Sequence, residues 1–322
     1  MKLYFQIIFI VLLAITVNSF VYFGFTNSYS TSILNYSNFS HQFNSGIYQY
    51  RKLSGFFLKE IYQFLGYWDI DYSIFKLKFL KEDAEPRMYI ALYLLNTIFL
   101  TLCSVVMVVL AQSNYFTLNK SEKILLPTIG VFSIVFTQFA LSPYDCSSYF
   151  LLMLFIYFLL KYLQKGEIKN LITLIVILII STINRESSAL SISLAATILY
   201  LENGLKKRSL LPIIFLVIVF VATYLGLRFT SNSFSTNDGV LVVQNFSLMK
   251  NLLGISFWIL FFGLTIFISN SKENTKAILL FHVFSAPYIF MCFFTGILYE
   301  IRLYVPLFLT SLFLSKYTFK KN

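Results

Sequence analysis

Ten apolar stretches, each near the length of a bilayer crossing, constrain this chain more than any motif in it. They cover residues 3–23, 88–111, 124–142, 149–164, 171–184, 188–203, 210–228, 251–270, 277–298 and 301–317. A bilayer core about 30 Å thick asks for roughly 20 mostly apolar residues per helix. The composition agrees: 58% of the chain is hydrophobic and 12% charged, where a soluble domain carries about 25% charged residues. A disordered chain, a collagen-like repeat and an ordinary cytosolic enzyme are excluded. The pattern predicts an all-α polytopic membrane protein of about ten transmembrane helices, forming a single integral domain over residues 1–322. The net charge of +11 does not point to nucleic acid. The cations fall in short clusters between apolar runs, as membrane topology signals do.

Orientation follows from those clusters. The first run begins after Met1-Lys2 and shows no small-x-small cleavage site near residues 15–19. It reads as an uncleaved anchor, with a signal peptide as the alternative, and either way the next segment is translocated. With the N-terminus inside, Lys2, Lys120, Lys123, Lys161, Lys165, Lys169, Lys206, Lys207, Arg208, Lys272, Lys276, Lys316, Lys320 and Lys321 all face the cytoplasm. Those are 14 of the 25 lysines and arginines, against Arg185, Arg228, Lys250 and Arg302 in short outer loops. The expected location is the cytoplasmic (inner) membrane, multi-pass, with both termini cytoplasmic. The inner loops are short and basic, and neither a GxxxxGK(S/T) nor a GxGxxG motif occurs. Any chemistry is therefore expected at the outer face and without ATP.

Candidate residues gather in the outer segments. Residues 24–87 form an extracytoplasmic loop too long for a simple connector. Within it Ile47, Tyr50, Leu53, Phe57, Ile61 and Phe64 recur at helical spacing, predicting an interfacial amphipathic helix over about 47–65. Arg51, on its polar side, is a candidate substrate contact. Trp68-Asp69-Ile70-Asp71 offers a carboxylate pair for a divalent cation or for acid–base work, or a solvated turn. The stretch Glu82 to Arg87 reads as a loop, with Pro86 opening the next helix. Asp145, in the short Ser142–Ser148 turn, either caps the following helix or serves as a general base. Its short turn ranks it ahead of Asp69 and Asp71 as the catalytic carboxylate. Asn184-Arg185-Glu186 interrupts more than 25 apolar residues. Charge at membrane depth costs roughly 2.5–3.5 kcal/mol for Arg, so it pairs or lines a cavity. Arg185 and Glu186 diverge on a helix, and Arg185 is a candidate for a substrate anion, unless the turn is only a hairpin tip reaching water. Glu300 and Arg302 either bridge to Arg185 and Glu186 as a structural network or leave one arginine for a phosphate. Cys103, Cys146 and Cys292 show no metal or disulfide spacing, and His41 and His282 are isolated.

The long first outer loop, the outer carboxylates, the Asn-Arg-Glu turn and the closing Glu-x-Arg-x-Tyr-x-Pro stretch resemble the membrane-embedded GT-C glycosyltransferases. They also resemble the wider set of bacterial envelope-polysaccharide membrane proteins. One difference is that residues 26–40 hold no carboxylate, where GT-C members place one soon after the first span. The resemblance implies transfer of a sugar from a polyprenyl-phosphate donor to an acceptor at the outer leaflet. Asp145, Asp69 and Asp71 would be the catalytic candidates. Arg185, Glu186, Asn184, Glu300, Arg302 and Arg51 would bind substrate. A divalent cation on Asp69 and Asp71 is the one cofactor considered. The partners implied are the lipid bilayer, a polyprenyl-phosphate-linked sugar and other envelope-biosynthesis proteins. A transporter, flippase or polymerase for lipid-linked saccharides, or a non-catalytic assembly scaffold, are the alternatives. The topology has a direct test: cysteines placed at Ser40 and Asn237 should label from outside, and one at Ser271 should be spared. Outside labelling of Ser271 breaks the scheme.

Overall fold

The computed structural model describes residues 2–25, 32–231, 234–235 and 239–319. Asn237 and the outer carboxylate Asp238 lie outside the described residues. Within them the chain is helical, with one isolated bridge between Phe116 and Tyr317. In order the helices are α1 (Leu3–Gly24), α2 (Tyr36–Phe43), α3 (Lys52–Gly66), α4 (Pro86–Gln112), α5 (Glu122–Val135), α6 (Asp145–Lys165) and α7 (Ile168–Asn184). They continue as α8 (Ala189–Asn203), α9 (Lys207–Phe229), α10 (Val242–Ser247), α11 (Met249–Phe267), α12 (Lys272–Phe284), α13 (Ala286–Thr295) and α14 (Val305–Leu314).

All ten apolar runs are helical over most of their length, but they do not make ten equal crossings. Among the described residues six helical segments are long and apolar enough to cross a bilayer: α1, α4, α5 with the 3-10 turn behind it, α6, α9 and α11. The α12–α13 pair, bent by 52°, makes a seventh if taken as one span. α7 has 17 residues, α8 15 and α14 only 10. The breaks have local causes. Gly166 and Gly204 end α6 and α8 with φ of 63° and 66°, a region that L side chains resist. Pro287 follows the bend at Ser285, where a helix cannot run on with its hydrogen bonds intact.

Burial sorts the helices into an interior and a rim. α4 and α6 form the centre, and every residue of α14 is buried among α5, α8, α11 and α12. α1 buries only Gln6, Ile10, Ala14, Asn18 and Tyr22, a stripe at intervals of four against α4 and α5. Asn18 donates to Thr97 Oγ1 (2.9 Å), Ser19 meets the Tyr93 hydroxyl (2.7 Å), and Asn96 donates to the Tyr22 hydroxyl (2.8 Å). Such polar ties hold apolar helices together where lipid supplies no hydrophobic drive. α9 and α11 leave most of their apolar side chains exposed, which marks this as a multi-pass membrane protein whose rim faces lipid.

The connections segregate to two ends. At one, Lys316 Nζ reaches Glu122 Oε1 (2.6 Å) and Asn270 Oδ1 (2.9 Å), Tyr317 donates to Glu202 (2.9 Å), and Thr117 meets Thr318 (2.8 Å). At the other meet residues 51, 145, 185–186, 228 and 300–302.

The first long loop is more ordered than its composition suggests. Its helix starts at Lys52, five residues later than the periodicity predicts, because Gly46–Tyr50 is a 3-10 turn broken at Arg51. α3 buries Ser54, Gly55, Leu58 and Tyr62, while Phe57 and Phe64 of the anticipated apolar face are exposed. Small residues allow close approach: a Cβ on Gly55 would collide with the Phe43 ring. The stretch read as a plain loop before α4 ties the segment down. Glu85 accepts from the Tyr62 hydroxyl (2.5 Å) and the Tyr36 N–H (3.0 Å), and Arg87 lies 3.8 Å from the Tyr62 ring centroid.

One close approach leads directly into the charged end. α11 packs at Gly254 against the Leu298 backbone, where a Cβ would collide with the carbonyl, whereas Gly263 on the same helix faces open space. Gly254→Ala should therefore destabilise the protein by about 1–3 kcal/mol, with Gly263→Ala near neutral. Thermal unfolding of the two variants in detergent checks this, and equal melting temperatures would refute it.

Candidate functional site

The charged end is built on the first turn of α6. Ser147 and Ser148 hydroxyls donate to the Tyr144 carbonyl (3.0 and 2.7 Å). Asn184, fully buried at the end of α7, donates to Ser148 Oγ (2.8 Å) and Ser147 Oγ (2.9 Å) and accepts from Ser54 Oγ (2.6 Å). Its amide thus joins α7, α6 and α3. Beyond it the backbone extends at Arg185 (φ −166°, ψ 145°) and then turns through Glu186–Ser188. That change of direction sends Arg185 and Glu186 to different partners, as their adjacency requires.

Arg185 pairs with Asp145 Oδ1, and Arg302 Nη1 approaches Asp145 Oδ2 (3.4 Å). Asp145 is 1% exposed and is the first residue of α6, with Tyr144 at the N-cap position. Both of its carboxylate oxygens face guanidiniums. Arg302 also grips Glu300 Oε2 through Nε (2.7 Å) and Nη2 (2.6 Å). Tyr149 and Tyr288 hydroxyls fix that turn by donating to the carbonyls of Arg302 (3.1 Å) and Leu303 (2.8 Å). Glu300 and Arg302 therefore join Asp145 and not Glu186, so the four-charge network considered from sequence forms with different members.

Glu186 has its own pair of arginines. Arg51 binds Oε2 through Nε and Nη2 (both 3.1 Å), and Arg228 Nη2 approaches Oε1 (3.4 Å). Each is held by aromatic rings. Arg51 lies 5.1 Å from the Tyr48 centroid and 5.7 Å from that of Tyr144. Arg228, 2% exposed, lies 3.5 Å from the Tyr224 centroid and 4.4 Å from that of Tyr50, and its Nε donates to the Ser235 carbonyl (3.1 Å). Burial alone would raise the Glu186 carboxyl, but Arg51 and then Arg228 hold it below its usual range. Arg185 goes the other way. Burial, then the like charges of Arg51 and Arg302, push it down to about 10.

Among the described residues the cluster holds four arginines and three carboxylates, one positive charge in excess. Next to Arg51 the buried Tyr144 hydroxyl has no hydrogen-bond partner among the described residues. An electron-rich group placed there would meet guanidinium forks and a free O–H donor, which is the chemistry of oxyanion recognition.

Asp69 and Asp71 are not part of this cluster. Both are exposed on the turn after α3. Asp71 accepts from the Ser73 N–H (2.9 Å) and Oγ (2.6 Å), which holds its carboxyl below the usual range. Among the described residues no group of three or more His, Cys, Asp or Glu is arranged to hold a metal ion. Arg228, Tyr48, Tyr50 and Ser54 escaped the sequence reading as site residues. Arg228 counts there as an outer-loop cation, although Tyr224, four residues earlier on the same helix face, was a legible sign that it is held.

Comparison with family models, with curated proteins and with solved structures gives no match.

Removing one member of a buried pair strands the other charge, at a cost of about 3–5 kcal/mol. Asp145→Asn should accordingly lower thermal stability and membrane abundance sharply. Asp145→Asn combined with Arg185→Gln should recover part of the loss, since the pair is removed together. Strictly additive losses in this double-mutant cycle would show that the two side chains do not interact.

Proposed function

We propose that this chain is a membrane glycosyltransferase acting at the outer face of the cytoplasmic membrane in envelope polysaccharide or glycoconjugate synthesis. Its donor is a sugar on a polyprenyl phosphate. In this reading all ten apolar runs lie within the membrane, both termini are cytoplasmic, and residues 24–87 lie outside with α3 along the interface. The supporting observation is the half-buried group of Arg51, Arg185 and Arg302, with excess positive charge among the described residues and the Tyr144 hydroxyl unspent beside it. A lipid-borne phosphate satisfies that group, and it needs no cytosolic nucleotide site.

The chemistry follows from competition for Arg185. The donor phosphate draws Arg185 away from Asp145 and lies against Arg51 and the Tyr144 hydroxyl. Asp145 Oδ1, released from its partner, accepts the proton of the acceptor hydroxyl. The acceptor oxygen bonds to the anomeric carbon as the carbon–oxygen bond to phosphate breaks. The phosphate leaves with the electron pair, and the guanidiniums stabilise its added charge.

The test is transfer in vesicles loaded with a labelled polyprenyl-phosphate sugar and an acceptor glycan. Arg185→Lys should cut transfer at least about tenfold, because an ammonium makes no bidentate pair. Tyr144→Phe should weaken donor binding by several-fold at unchanged protein abundance. Wild-type rates in Arg185→Lys would remove the phosphate from this site. The bend between α12 and α13 favours a second reading, a flippase for lipid-linked saccharide, since broken helices recur in transporters. That reading is supported instead if intact donor crosses the vesicle bilayer with no free polyprenyl phosphate released.

A further inference from the structure

Beyond α3 the outer loop turns an apolar surface outward that no other part of the described chain covers. Phe64, Trp68, Ile70, Ile74, Phe75 and Leu80 are all exposed, Leu80 to 75%. Large side chains gathered in this way within one short segment are a surface built for a partner. The alternation over Lys76–Leu80 is orderly. Leu77 and Phe79 pack inward against the α3–α4 cluster, while Lys76 and Lys78 point out, as does Lys81 beyond them.

We infer that residues 64–81 form a platform seated in the outer leaflet, at the boundary between headgroups and acyl chains. Continuity argues for lipid as the occupant. Phe75 stacks on Phe23 at the outer end of α1 (5.6 Å, 21°). The lipid-facing side of that span, with Phe20 and Phe25 exposed at its end, therefore runs without a break into the loop. Aromatic rings with lysines among them are the composition of a membrane interface, where rings sit at headgroup level and ammonium groups reach the phosphates. Asp71 does not disturb this, because Ser73 satisfies its carboxylate within the turn. The inference stands apart from the transferase reading and requires only that α1 crosses the bilayer with its N-terminus inside.

The chain has two tryptophans, Trp68 on the platform and Trp258 in the bundle, so Trp258→Phe leaves Trp68 as the sole reporter. The full-length variant is reconstituted into phosphatidylcholine vesicles with bromine near the headgroup end of the acyl chains, or near their methyl end. Headgroup-end bromine should quench Trp68 emission at least twofold, methyl-end bromine less, and aqueous acrylamide only weakly. Quenching by acrylamide alone would place the platform in water, and quenching by no probe would place it under another protein. Either result overturns the inference. If Trp258→Phe does not fold, the emission of wild type minus that of Trp68→Phe gives the same signal.

Discussion

Three carboxylates and four guanidiniums meet where the ends of apolar helices come together, and each carboxylate is held by at least two arginine nitrogens. A lone charge in such surroundings would cost several kcal/mol, so the members have to arrive together. They come from five separate stretches: the start of α3, the start of α6, the α7–α8 turn, the end of α9 and the turn before α14. Meeting at one place fixes the relative height of those helices along their axes, which apolar packing alone leaves free to slide. Buried ion pairs add little net stability compared with apolar residues of equal volume. Their contribution here is registration, and the cluster is better regarded as a pin than as a glue.

Two of the four arginines are more constrained than their charge requires. Arg228 lies between two tyrosines, and Arg51 lies against the Tyr48–Tyr144 pair. Ring contacts leave a guanidinium's edge free to bind anions while fixing its plane. Glu186 therefore meets two forks already aimed at it. Arg185 and Arg302 have no such ring contact among the described residues and are held through Asp145, with Arg302 also on Glu300.

Periodicity within one segment located the helices and the divergence of Arg185 from Glu186, because both depend only on neighbours along the chain. It could not give partners. That Asp145 meets Arg185, 40 residues on, depends on how α6 and α7 pack, and nothing in either segment encodes that contact by itself. The buried face of α3 departs from its apolar periodicity for a related reason. In water the large side chains of an amphipathic helix turn inward, but beside a bilayer Phe57 and Phe64 can face out while Ser54 and Gly55 allow close contact. Hydropathy alone also did not separate the shorter helices α7, α8 and α14 from the six long ones. Residues packed wholly within protein can be as apolar as residues in lipid, and α14 is buried at every position.

That enclosure bears on the order of biosynthesis. α14 is translated after every helix that surrounds it, so α5, α8 and α11 emerge from the ribosome ahead of the element they help enclose. Until then the slot between them must be filled by lipid chains or closed by a looser arrangement of the same helices. The final fold requires that this provisional state open again to admit α14. Conditions that stiffen the bilayer, or let the early helices settle too firmly, should then reduce the yield of native protein without affecting protein already made.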